Sequence, residues 1–180
     1  QDLADFVGDS LALAQQDWKR RKNHGKWSFT TNHDEMMDFW RGGIERAKGW
    51  ETMYTVGMRG DGDEAMEDKA SVQLMEQIVK EQRQLLEKVT GKKAQDVPQV
   101  WALYKEVQDF YDQGMQVPDD IILLLCDDNW GNIRRLPALG TAKNHKGGFG
   151  MYYHVDYVGG PRNSKWINVS PIPRLWEQMN

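Results

Sequence analysis

The sequence predicts an α/β fold built on a parallel sheet, and three observations carry that expectation. The first is the stretch Ile121–Trp130, IILLLCDDNW, in which six residues run from Ile121 to Cys126 without a polar break. A half-exposed antiparallel strand would alternate, whereas an unbroken apolar run behind Pro118-Asp119-Asp120 fits a parallel strand covered on both faces. The competing reading is a buried helical segment with solvated acids after it. The second observation is the alternation of strand, loop and helix along the chain, with a polar cluster after each strand, as in βαβ units. The third is length: 180 residues can bury one sizeable core and read as one domain without internal boundary. About five strands can be placed, while a closed (β/α)8 barrel takes around 250 residues. The chain is therefore either part of a (β/α)8 TIM-type barrel, incomplete in this chain, or an open sheet. Its end inside a starting helix favours the barrel.

Taken in order, residues 10–21 read as a helix capped by Asp9 or Ser10, with basic residues in the last turn. Asn32 with Glu35 resembles a capping box opening a second helix through Ala47, with Met36, Phe39, Trp40 and Ile44 on one face. Met53–Met58 is a strand candidate, followed by the turn Arg59–Glu64. A long helix is predicted over 69–90, ended by Gly91. Val100–Tyr104 is the next strand candidate, with a short helix over 107–115 before the central strand. Residues 138–150, rich in Gly, Lys and Asn, read as a mobile loop. Met151–Tyr157 and Trp166–Asn168 complete the strands, and Pro171 and Pro173 introduce a last helix.

Composition excludes several classes. A net charge of −4 and a pI near 5.6 offer no basic field for nucleic acid or an acidic membrane surface. No apolar stretch approaches the roughly 20 residues of a membrane span. The first ten residues, QDLADFVGDS, lack the basic and apolar regions of a signal peptide. Cys126 is the only cysteine, which rules out an internal disulfide and reads as buried filler. Eight Trp and six Tyr are the informative excess, divided between core and surfaces able to stack on sugars.

The polar residues at the strand ends are the candidates for chemistry. They are Arg59, Asp61, Asp63 and Glu64, then Glu106, then Asp127, Asp128 and Asn129, then His154, Asp156 and Tyr157. Carboxylates converging from separate strands suit glycoside hydrolysis, where one protonated carboxyl serves the leaving oxygen and an ionised one activates water or attacks. The planar fork of Arg59 suits a substrate carboxylate such as a uronic acid. Duller readings stand beside these. Arg59 can pair with Asp61 or Asp63; Glu64, Asp128 and Asp156 suit caps or loop solvation; His154 fits a satisfied core histidine. Asp61-Gly-Asp63-Glu64 is not an EF-hand loop, and Gly147-Gly-Phe-Gly150 is no nucleotide fingerprint. His24, His33, His145 and Cys126 lack metal-ligand spacing, so the sequence calls for no metal and no cofactor.

Four stretches, YTVGMRGDGDEAM (54–66), VWALYKEVQDFYDQGM (100–115), LLLCDDNWGNIRRLP (123–137) and YYHVDYVGGPRNSKWIN (152–168), closely resemble glycoside hydrolase family 115, the xylan α-1,2-glucuronidases. The resemblance runs from about Ala14 to the last residue. It implies that residues 1–180 are part of a (β/α)8 catalytic domain in a larger, multidomain, secreted or periplasmic enzyme, usually a homodimer. Its substrate would be glucuronoxylan or an acidic xylo-oligosaccharide, losing glucuronic acid or its 4-O-methyl ether with inversion. Position by position, Arg59 matches the residue that grips the uronate carboxylate, and Asp63, Glu106 and Asp127 match acids of the active centre. Tyr104, Asn129, His154 and Tyr157 match positions lining the glucuronate pocket. Glu106 and Asp127 are the first choices for acid and base, with Asp63 third. The family carries a longer segment where only Asp9-Ser10 stands here, so a pocket drawing on that part is incomplete in this chain. The alternative is a non-catalytic remnant that binds acidic glycans.

Overall fold

The computed structural model describes residues 18, 25–61, 65–66, 71–137, 144–155 and 170–180. Its elements are α1 (His33–Ala47), β1 (Tyr54–Thr55), α2 (Val72–Thr90), β2 (Gln99–Leu103), α3 (Glu106–Asp112), β3 (Ile122–Cys126), β4 (Phe149–Tyr152) and α4 (Ile172–Met179). Among the described residues the strands form one sheet in the order β1-β2-β3-β4, every neighbouring pair parallel. A parallel sheet whose spatial order follows chain order, with no reversal, has the connectivity of a barrel wall. Of the expected helix at 10–21 only Trp18 is described, in helical conformation, and the expected strand at 166–168 lies outside the described residues.

Register explains the core. Trp101 pairs with Leu123 and Leu103 with Leu125, so the bulky residues of two strands share the face that meets the helices. Ile121, Leu123 and Leu125 are buried, while Ile122, Leu124 and Cys126 are half-buried. The expected cover on both faces is therefore complete only on the helical side. Met75, Ile78, Val79, Leu85 and Leu86 supply the apolar stripe of α2 to that core. Much of the tryptophan excess goes inside: Trp18, Trp27 and Phe39 meet edge to face at centroid separations of 5.5–5.9 Å.

The element ends have local causes. The Ser71 hydroxyl accepts the N–H of Leu74, so α2 begins at Val72 and not at 69, and Gly91 ends it in the left-handed region at φ 71°. The capping box expected at Asn32 and Glu35 does not close. Asn32 instead donates to the Lys26 carbonyl and Glu35 accepts from the Gly25 N–H, so both side chains tie the preceding loop. Strand β1 is shorter than predicted. Its continuation is taken by Gly57, whose N–H and carbonyl are both satisfied by the Gln82 amide of α2. Gly57 also has φ 93°, and a Cβ there would lie 2.4 Å from the Trp101 indole nitrogen.

At the opposite edge, β4 begins at Phe149, inside the stretch read as a mobile loop. The turn before it is tied to the entry of β3. His145 Nε2 meets the Ile121 carbonyl at 2.6 Å, and the Gly147 N–H donates to the Asp119 carbonyl at 2.6 Å. The backbones approach so closely that a Cβ at Gly147 would stand 2.3 Å from the Ile121 oxygen. Below the sheet, Arg83 of α2 spans Gln99 and both oxygens of Asp120, while the Gln99 amide donates to the Ala94 and Val97 carbonyls. This network joins the amino-terminal ends of β2 and β3.

Two outcomes follow. Arg83→Met strands the Gln99 carbonyl and the Asp120 carboxylate, and a loss of about 2 kcal/mol is expected in urea unfolding. His33 joins α1 to α2 through Glu81 at 2.6 Å and touches Asp34 at 2.9 Å; the hydrogen bonds to Asp34 and Glu81 raise its imidazole above the ordinary value. The folded value exceeds the unfolded one, so this contribution is full below pH about 6.5 and is lost as pH rises through the raised folded value. The destabilisation by His33→Gln should be larger at pH 5.5 than at pH 9, read as a shift in urea midpoint.

Candidate functional site at the carboxyl ends of the strands

The candidate residues sit where each strand leaves the sheet. Beyond β1, Arg59 is nearly buried, with 6% exposure, and its carbonyl accepts the Trp27 indole N–H at 3.0 Å. Its guanidinium forks onto Glu106. Nε meets Oε1 at 3.1 Å and Nη2 meets Oε2 at 3.0 Å, a bidentate pair linking the ends of β1 and β2. The Tyr104 ring lies 5.2 Å from the Arg59 Cζ and 4.9 Å from the Lys105 ammonium, giving the aromatic face two cations.

Glu106 is the first residue of α3, one residue earlier than the helix predicted from spacing. The residue before it is strained: Lys105 has φ 50° and ψ −122°, a conformation suited to glycine. The tight exit from β2 is what aims Glu106 back at Arg59.

Asp127 follows β3 directly, and its side chain has no solvent exposure. Four donors fill its two oxygens. Oδ1 accepts the Asn129 N–H at 3.0 Å and His154 Nδ1 at 2.6 Å; Oδ2 accepts the Gly131 N–H at 2.9 Å and the His154 N–H at 3.0 Å. Asn129, whose φ of 69° suits an asparagine, and the glycine at 131 make this tight turn possible. Asp128 organises the other side of the turn. Burial alone would raise its carboxyl, but hydrogen bonds from Asn132 and Arg134 and from the N–H groups of Trp130 and Asn132 hold it well below the usual range. Its expected place in loop solvation is thus a defined one, closing the DDNWGN turn.

Strand β4 was expected to run to Tyr157 but ends at Tyr152, because the next two residues turn to serve the β3 turn. Tyr153 donates its hydroxyl to the Gly131 carbonyl at 2.6 Å, and His154 is drawn onto Asp127. The His154 ring meets Tyr152 edge to face at 5.0 Å. From α4, Gln178 accepts the Ile133 N–H and donates to the Gly131 carbonyl. Sequence reasoning missed Tyr153 and Gln178 as supports of the turn, since each acts on a segment distant from it in the chain. Asp63 and Tyr157 lie outside the described residues. Cys126 is held inert: burial, and then the adjacent Asp127 charge, push its thiol up to about 12. Among the described residues no three His, Cys, Asp or Glu side chains group as a metal site.

A progressive parallel sheet with helices, carrying carboxylates, an arginine and a histidine at its carboxyl edge, defines an α/β protein of the barrel class with its polar site in the usual place for that class. Within the class, the chain belongs to glycosyl hydrolase family 115, whose profile matches residues 8–180. Comparison with the curated proteins yields no significant match. Among solved structures, it is similar to a family GH115 4-O-methyl-α-glucuronidase, BtGH115A, described as having specificity for decorated arabinogalactans. The two share 38% identity with a TM-score of 0.80, over 92% of this chain and 22% of that one. This chain thus spans about a fifth of the length of that relative.

Two measurements check this geometry. Lys105→Gly should relieve backbone strain and raise stability by about 1 kcal/mol in thermal unfolding, while loosening the exit that aims Glu106. Cys126 in the folded protein should react at least tenfold more slowly with a thiol-directed disulfide reagent at pH 8 than the same thiol in urea.

Proposed function

We propose that this chain contributes to a glycoside hydrolase site that removes α-1,2-linked glucuronic acid or 4-O-methylglucuronic acid from glucuronoxylan. The carrying observation is the bidentate hold of Arg59 on a carboxylate at the strand ends. A guanidinium already set to grip a carboxylate in a nearly buried position is set equally to grip that of a uronate. The arriving sugar competes with Glu106 for the fork, and the exchange frees Glu106 to act on water. Family membership and the glucuronidase neighbour support the substrate class.

In this reading the reaction inverts. Water bonds to the anomeric carbon from one side as the bond to the xylose oxygen breaks on the other. Glu106 takes the water proton, and a second carboxyl gives its proton to the departing oxygen. We assign that second role to Asp63, because the Asp127 oxygens are already filled by four donors. Tyr104, Asn129, His154 and Tyr157 line the uronate pocket. The sheet closes as a (β/α)8 barrel in the whole protein, which we place outside the cytoplasm as a homodimer. The neighbour's described preference makes decorated arabinogalactan the polysaccharide to compare with xylan.

A second reading, a site that binds acidic glycans without cleaving them, is favoured by the engagement of both Glu106 and Asp127. The two separate in the full-length protein with a glucuronoxylan oligosaccharide. Glu106→Gln should lower turnover by roughly 10²–10⁴-fold, the range for loss of a general base, while affinity for glucuronic acid is kept or tightened. Unchanged turnover removes Glu106 from the chemistry, and wild-type binding without hydrolysis establishes the binding reading. A proton NMR spectrum of the nascent sugar decides stereochemistry: the β anomer is expected.

A further inference from the structure

We propose that Trp27 is a positioning residue that acts through Arg59: its indole N–H holds the Arg59 carbonyl and so keeps the guanidinium in the plane that a uronate carboxylate must meet. The proposal rests on the hydrolase reading for its uronate, while its positioning half concerns the Arg59–Glu106 pair alone. The β1 ladder ends at Thr55, well short of Arg59, with one further bond from the Val56 N–H to the Val100 carbonyl. Beyond that point two side chains from outside the sheet hold the backbone. The Gln82 amide of α2 takes both polar groups of Gly57, and the Trp27 Nε1 donates to the Arg59 carbonyl at 3.0 Å. Both anchors act on peptide groups, so they fix where the Arg59 side chain starts and in which direction it leaves the chain.

The donor is itself fixed. The Trp27 ring is buried and stands edge to face against Trp18 at 5.6 Å and against Phe39 of α1 at 5.9 Å. The chain leading into it is tied as well: Trp18 Nε1 donates to the Gly25 carbonyl at 3.1 Å, the Gly25 N–H donates to Glu35, and Asn32 donates to the Lys26 carbonyl. A two-point grip is the kind that needs such an anchor. Nε and Nη2 of Arg59 meet Glu106 at 3.1 and 3.0 Å, and a uronate carboxylate needs the same two donors in one plane. A small rotation at the Arg59 peptide grows along the side chain and breaks one of the two bonds. Packing against Trp18 and Phe39 asks only for a ring; the N–H is what carries the order of that cluster to the site.

The test uses the full-length protein. Trp27→Phe keeps a ring for Trp18 and Phe39 but has no donor, and it should weaken binding of glucuronic acid in calorimetry by roughly 3- to 10-fold, the scale of one hydrogen bond. Added to Arg59→Lys, which keeps the charge but not the fork, it should cost nothing more. Losses that multiply would show the indole acting by another route and would sink the idea, as would an unchanged affinity. Position is read directly from the Arg59 Nε–H signal in ¹⁵N NMR, assigned by its loss in Arg59→Lys. That proton should exchange with solvent faster in Trp27→Phe, and an unchanged rate overturns the proposal. If Trp27→Phe does not fold, benzothienylalanine in place of Trp27, which has the indole shape with sulfur where the N–H stands, gives the same readings. Failure of the hydrolase reading is seen separately, as a wild type with neither affinity for glucuronic acid nor turnover, or as unchanged turnover in Glu106→Gln. The Nε–H exchange then still decides the positioning.

Discussion

Parallel registration of β2 against β3 is the constraint from which the rest of the molecule follows. Four consecutive pairs, Val100 with Ile122 through Leu103 with Leu125, bring the large side chains of both strands to the helical face together. The same registration makes the two strands finish level, so that whatever follows Leu103 and Cys126 emerges at one edge. Burial of Trp101, Leu103, Leu123 and Leu125 drives the association. It has no preference for the polar residues beyond it, yet it decides where Glu106 and Asp127 stand.

At that edge the backbone must turn out of the sheet with its N–H groups still satisfied. After β3 this is done by side chains: Asp127 and Asp128 accept five backbone N–H groups between them, from Asn129, Gly131, His154, Trp130 and Asn132. After β2 the exit is instead forced through a strained Lys105. The two carboxylates that attract functional attention thus live in contrasting settings. Glu106 is held by a cation that a ligand can compete for, whereas Asp127 is held by backbone that no ligand replaces. Substituting either disturbs the strand-end geometry for a different reason.

The sheet was legible where burial is continuous in sequence. The run from Ile121 to Cys126 needed no partner to be recognised, and the apolar stripe and Gly91 stop of α2 are local signals. Helix boundaries were readable to within a few residues. What escaped was decided between distant segments. The Asn32–Glu35 box read correctly as a helix start but not as a loop clamp, because Lys26 and Gly25 compete for its side chains. Strand β1 stops early owing to Gln82, and β4 stops early owing to Asp127. The places of Arg59, Glu106, Asp127 and His154 beyond the strands were legible in the sequence. Their pairings were not, since Arg59 and Glu106 lie 47 residues apart and Asp127 and His154 lie 27 apart.

The close approach of Gly147 to Ile121 has a bearing on how variation in this protein should be read. The turn holding Gly147 sets the phase with which β4 enters the sheet, far from any polar group at the exit. A slip of one residue there would exchange the two faces of β4 and carry His154 away from Asp127. A methyl group at the entry of the strand can therefore disturb the exit without altering any side chain that stands there. In a collection of natural or selected variants, loss of function would map to a glycine that looks like a spacer, and its cause would be one of counting along the chain rather than of chemistry.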